Sequence, residues 1–124
     1  MTVKNQHVDA CHCDMCRRWC GGPGLAVFCQ GAPEFEGEPP LGVYQSSEWA
    51  ERLFCKTCGS SLFYRLIAKG DYVAYAGSLD LSDDARMTVE IFVDEQPGYY
   101  AFAGERKRMT GAEVFAEFAS GQES

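Results

Sequence analysis

The chain has 124 residues and a mass of 13.7 kDa, enough for one core but not for two, so a single domain over residues 1–124 is expected. Hydrophobic residues make up 46% and charged residues 23%, a globular balance that excludes disorder, collagen-like repeats and coiled coil. A net charge of -7 repels polyphosphate, so nucleic acid is not an expected partner.

In chain order, Met1–Ala10 carries Lys4, Asn5, Gln6, His7 and Asp9 with no apolar stretch behind it, so no secretory leader is expected. The longest apolar stretch, Leu25–Cys29, is far short of the roughly 20 residues that cross a bilayer. No membrane association is expected, and the cytoplasm is the expected location. Runs rich in aromatic and β-branched residues predict strands at Leu25–Cys29, Gly42–Gln45, Arg52–Phe54, Ser61–Leu66, Tyr72–Ala76 and Thr88–Val93. Gly21–Gly24 and Glu36–Pro40 read as turns. Only the end looks helical: Thr110-Gly111-Ala112-Glu113 matches a capping box, and Val114, Phe115 and Phe118 follow at helical spacing. The expected class is mainly β with one short C-terminal helix.

Seven cysteines in a reducing compartment point to metal or thiol chemistry rather than disulfides. Cys11-His12-Cys13-Asp14-Met15-Cys16 is a Cys-x-Cys-x2-Cys cluster whose three thiols can converge on one ion with little loop-closure cost, and zinc is its natural occupant. Cys55-Lys56-Thr57-Cys58-Gly59 has zinc-knuckle spacing; a thioredoxin-like redox pair would need a helix at its first cysteine, where strands are expected instead. Two cysteines are half a zinc site, and besides the first cluster only Cys20 and Cys29 remain.

Three thiolates around a divalent ion leave a net charge of about -1 and a free fourth position, the pattern of a catalytic zinc. Such a zinc is a weak Lewis acid, so a soft thiol suits the fourth position better than a hydrolytic water. Arg17 and Arg18 either grip a substrate carboxylate or offset the anionic site, or else are plainly solvated. His12 points away from an ion that its neighbours face, and His7 has no role in this reading. Trp19, Trp49, Phe63 and Tyr64 read as core, Glu105–Arg108 as a solvated loop, and Gly21–Gly24 as a plain turn or the rim of the zinc pocket.

Cys11-His12-Cys13-Asp14-Met15-Cys16-Arg17-Arg18-Trp19, Gly21-Gly22-Pro23, Tyr44-Gln45-Ser46-Ser47, Arg52–Ser60 and Gly77-Ser78-Leu79-Asp80 together resemble the glutathione-dependent formaldehyde-activating enzyme family, which also contains centromere protein V. The resemblance implies a β-tent fold of antiparallel sheets, a catalytic zinc on Cys11, Cys13 and Cys16, and a structural zinc using Cys55 and Cys58. It further implies carbon–sulfur lyase or synthase chemistry, like that of S-(hydroxymethyl)glutathione synthase, on an adduct of glutathione or another thiol with a small aldehyde such as formaldehyde. Family members carry a further Cys-x-Cys-Gly on an initial strand, and nothing before Cys11 is a cysteine. The expectation is a lost strand or a lost structural ion, or completion by Cys29, Cys20 or a neighbouring chain, with a homodimer covering the open sheet edge. The alternative function is a non-catalytic zinc-binding module for protein interaction. A third, redox or sulfoxide-reducing reading would make Cys20 or Cys29 a reactive thiol, since the methionine sulfoxide reductase B type has a similar fold.

Overall fold

The computed structural model describes residues 6–29, 33 and 37–119; Met1–Asn5, Glu36 of the expected turn and the side chain of Phe118 lie outside the described residues. The strands are β1 (His7–Cys11), β2 (Gly24–Cys29), β3 (Leu41–Gln45), β4 (Ala50–Cys55), β5 (Ser61–Leu66), β6 (Asp71–Tyr75), β7 (Arg86–Ile91) and β8 (Lys107–Met109), with helices α1 (Asp14–Cys20) and α2 (Gly111–Ala119). They form one sheet in the order β3-β4-β5-β6-β2-β1-β7-β8. The chain is thus mainly β with a helix near its C-terminus, and the six expected strands are all present. β1 and β8 are strands beyond the six expected, and two further details differ. The sheet is mixed, because β1 pairs in parallel with β7 and β7 with β8, and α1 is a second helix where only a C-terminal one was expected.

Register explains where the core sits. Val43, Leu53, Phe63, Ala74 and Val27 are successive partners across β3, β4, β5, β6 and β2, so they share one face. Leu53, Phe63, Ala74 and Val27 are buried there with Leu79, and full burial of a side chain such as Phe63 contributes about 1.5–3 kcal/mol. One residue further on, Tyr44, Arg52, Tyr64, Val73 and Phe28 are likewise partners and occupy the opposite face, which receives α1. Gly42 permits a close approach: a Cβ there would lie 2.3 Å from the Phe54 ring.

A parallel pair needs a long crossover. Residues 92–106 provide it between β7 and β8, starting at Phe92 in the left-handed region (φ 57°) and carrying Tyr100 and Arg106 back over the end of β1. The chain closes with the expected capping box. The Thr110 amide donates to Glu113 Oε1 at 2.9 Å and the Glu113 amide to Thr110 Oγ1 at 3.3 Å, which satisfies two donors at the start of α2. Val114 is buried beneath the helix, whereas Phe115 is exposed with its ring edge-on to Phe92.

Candidate metal centre

The cluster is assembled by a change of period. Cys11 ends β1 and Cys13 is still extended (φ -65°, ψ 155°), so these two thiols fall on one side and His12 on the other. The chain then turns into α1, with Cys13 as its N-cap: the Cys16 amide donates to Cys13 Sγ at 3.3 Å. That turn brings Cys16 to the other two sulfurs, and all three lie within 4.8 Å of one another. At seven residues α1 would not persist alone. It is held by the Cys13 cap, by Arg18 Nε on Asp14 Oδ2 at 2.9 Å, and by Gly21 in the left-handed region (φ 78°), whose amide donates to the Arg17 carbonyl at 2.8 Å. Gly21 is therefore a helix cap, whereas Gly24 abuts the site, a Cβ there coming 3.5 Å from Cys16 Cβ.

Three soft donors that share their protons suit a thiophilic ion such as zinc. Hydrogen bonds from Cys11 and Cys13, followed by the charge and hydrogen bond of Arg52, outweigh burial and bring the Cys16 thiol down to about 3. Its hydrogen bonds with Cys13 and Cys16, with burial, push Cys11 up. Of the three, only Cys16 is drawn towards the thiolate, while Cys11 and Cys13 are raised.

Arg52, to which the sequence assigns no role, faces Cys16. Its residue is 2% exposed, with Nη2 at 3.8 Å and Nη1 at 3.9 Å from Cys16 Sγ, and Nη1 donating to Tyr75 Oη at 3.0 Å. Burial works against its charge, but Tyr75 and Cys16 more than compensate and hold its pKa above the usual value. Its guanidinium lies 5.0 Å from the Tyr64 ring centroid and 5.9 Å from that of Trp19. In the sequence it stood only as the first residue of the expected strand Arg52–Phe54 and of a family-like segment.

His12 faces the other way and is wholly buried. Nε2 meets Glu90 Oε1 at 2.8 Å and Nδ1 meets Tyr100 Oη at 2.7 Å. Glu90 also accepts from Arg106 Nη1 at 2.7 Å, with Arg108 Nε at 3.6 Å. The residues read as a solvated loop therefore contribute Arg106 to a buried ion pair and Lys107 and Arg108 to β8, where Glu90 meets Arg106 and Arg108. The loop that carries the thiols is further tied by the His12 amide on the Ile91 carbonyl at 3.0 Å and by Arg17 Nε on the His12 carbonyl at 3.0 Å.

Other residues singled out in the sequence fall as follows. Arg17 is half-buried on the loop backbone and the Arg18 side chain is 79% exposed; both approach Asp14. Cys20 is outside the thiol cluster and shares a hydrogen bond with Tyr75. Cys29 donates to the Val27 carbonyl at 3.6 Å on β2 and packs against the core. Cys55 and Cys58 share the turn between β4 and β5, where the Gly59 amide donates to the Cys55 carbonyl at 2.7 Å and Cys58 Sγ lies 3.1 Å from Ser60 Oγ. Among the described residues no third ligand joins them. Phe63 is core as expected. Trp49 is not: it is 54% exposed, since the loop after β3 carries it past the sheet edge. Trp19 and Tyr64 are half-buried on the Arg52 face.

A mixed β-sheet that presents three convergent thiols defines a protein able to hold a metal ion. Residues 1–95 match the family described as glutathione-dependent formaldehyde-activating enzyme, and the chain belongs to that family. It is 31% identical over 113 residues to a protein of Schizosaccharomyces pombe described as an uncharacterized lyase, a match covering 90% of this chain and 82% of that one. Among the described residues no helix is long and apolar enough to cross a membrane.

Proposed function

We propose that the protein is a zinc-dependent carbon–sulfur lyase or synthase, joining glutathione or a similar thiol to a small aldehyde such as formaldehyde, or releasing it. The observation that carries this reading is the convergence of the Cys11, Cys13 and Cys16 thiols with Cys20 outside the set. Family membership and the lyase relative support the reaction class. Zinc held by the three thiolates would supply a fourth position at which a thiol is kept as thiolate near pH 7, the nucleophile for an aldehyde carbon.

The chain's own residues perform the rest. Arg52 balances the anionic cluster from the sheet face, and Tyr75 fixes the guanidinium through its hydroxyl. The His12–Glu90–Tyr100 contacts hold the ligand loop from behind. Arg17, tied to the loop backbone, supports the cluster more directly than the solvated Arg18. Cys55 and Cys58, which share one turn, are half of a second zinc site that Cys20, Cys29 or a neighbouring chain would complete.

Titration of zinc-loaded protein with glutathione in two buffers of different ionisation enthalpy tests the reading. Binding should release about one proton near neutral pH, because a free thiol has a pKa near 8.5 and must ionise to bind. Cys13→Ser should abolish that release and any acceleration of hemithioacetal exchange. Fully loaded protein that binds glutathione without proton release, or not at all, would favour the non-catalytic module.

A further inference from the structure

The turn that carries Cys55 and Cys58 is tightly built. The Cys55 amide donates to the Ser60 carbonyl at 2.9 Å and the Gly59 amide to the Cys55 carbonyl at 2.7 Å, with Gly59 in the left-handed region (φ 81°). The two thiols hydrogen-bond each other, and Ser60 meets Cys58 Sγ with its backbone amide and, at 3.1 Å, with its hydroxyl. Donors aimed at a sulfur favour the thiolate, the form that binds zinc. A structural zinc takes four ligands, so two are lacking.

Register keeps the other cysteines of the same chain away. Side chains alternate along β4, so Arg52 and Phe54 point to α1 while Leu53 and Cys55 point to the core face. Cys20 bonds Tyr75, whose hydroxyl accepts from Arg52 at 3.0 Å, and therefore lies across the sheet from Cys55. Cys29 shares the core face, but it falls in the row Glu51, Arg65, Tyr72, Cys29. That row puts it three strands over and four residues along from Cys55, roughly 20 Å away at ordinary strand spacings. Cys11, Cys13 and Cys16 are gathered in their own cluster.

The turn itself is open to another molecule: Lys56, Thr57, Cys58, Gly59 and Ser60 are all exposed. Resting on the second zinc site of the proposed function, we propose that the Cys55–Cys58 turns of two copies share one zinc ion, each giving two thiolates about a two-fold axis, so that zinc joins the protein into a homodimer. A second copy supplies both lacking thiolates in one step. Its charge also fits. An ion on four thiolates carries a net charge of about -2, and Lys56, the one charged residue of the turn, brings a positive charge from each copy. Val43, exposed on the same face of the edge strand β3, adds apolar surface beside the turn.

Sedimentation equilibrium of the full chain in zinc-containing, reducing buffer, with zinc counted per chain after removal of the excess, tests the proposal. Wild type should have twice the chain mass of 13.7 kDa and about one and a half zinc ions per chain, one on Cys11, Cys13 and Cys16 and half of a shared one. Cys58→Ser should be a monomer with about one zinc per chain, and a chelator should convert wild type to monomer as the shared ion leaves. Lys56→Glu keeps every thiol and should raise the dimer dissociation constant about tenfold, because it sets like charge against the anionic centre. A wild-type monomer with about two zinc ions per chain, one of them lost in Cys58→Ser, would overturn the sharing and leave the second zinc site standing. A monomer with about one zinc per chain, unaltered by Cys58→Ser, would overturn both. A dimer that persists in Cys58→Ser would overturn the proposal by placing the contact elsewhere. The reaction at the first cluster is read separately, by the glutathione titration.

Discussion

Replacing Glu90 by glutamine would keep its shape while removing its charge. The carboxylate is 3% exposed and serves His12 at 2.8 Å, Arg106 at 2.7 Å and Arg108 at 3.6 Å. Breaking a buried ion pair on one side costs about 3–5 kcal/mol, because the partner stays buried and uncompensated. Arg106 has a side chain 12% exposed and an Nε already without a partner, whereas Arg108 is half solvated. The lower end, about 3 kcal/mol, is therefore expected. For a domain of this length that corresponds to a fall in melting temperature of about 10–15 °C. The pH dependence separates charge from packing. Burial opposes the charge of Glu90, but Arg106, His12 and Arg108 outweigh it and hold its carboxyl below the ordinary carboxylate range. Its stabilisation is then fully present above the unfolded carboxyl pKa of about 4.3 and is lost as pH falls through the lower folded value. Urea melts of metal-free, reduced protein at pH 7 and across the acid range give the comparison. Glu90→Gln should be about 3 kcal/mol less stable at pH 7, and the gap should narrow steadily in acid. A gap under about 1 kcal/mol at pH 7, or one independent of pH, would refute the clamp.

Arg52→Met should raise the pH midpoint for zinc retention by about one unit, since a charge-assisted contact is worth about 1.5 kcal/mol; chelator competition between pH 4 and 7 measures it, and an unmoved midpoint would remove Arg52 from the cluster's electrostatics. Gly42→Ala should cost about 1–3 kcal/mol and alter near-UV dichroism, because a Cβ 2.3 Å from the Phe54 ring displaces the edge on which Trp19 rests; a variant with wild-type stability and spectrum would show that Phe54 moves freely.

The strands with apolar, β-branched or aromatic runs were legible because burial on one face demands those residues. β1, with the sequence HVDAC, carries no such run, and becomes a strand because β2 and β7 flank it on both sides. Nor does DMCRRWC have an apolar stripe; its caps at Cys13 and Gly21 make it helical. The spacing of Cys11, Cys13 and Cys16 displayed the site directly. Arg52, Glu90 and Tyr100 were invisible because their roles depend on register and on a crossover, which bring together residues as many as 88 positions apart.

That mismatch in separation has a thermodynamic consequence. The three thiols lie within six consecutive residues, so an unfolded chain offers them to a metal almost as readily as a folded one. Any ion they hold therefore stabilises the fold only by the difference between its affinity for the clamped loop and for the free one. The contacts from Glu90, Tyr100 and Arg52, which exist only after the sheet has closed, set that difference. Capture of the ion and folding of the chain can thus proceed in either order, with the distant clamp turning early, loose binding into tight binding.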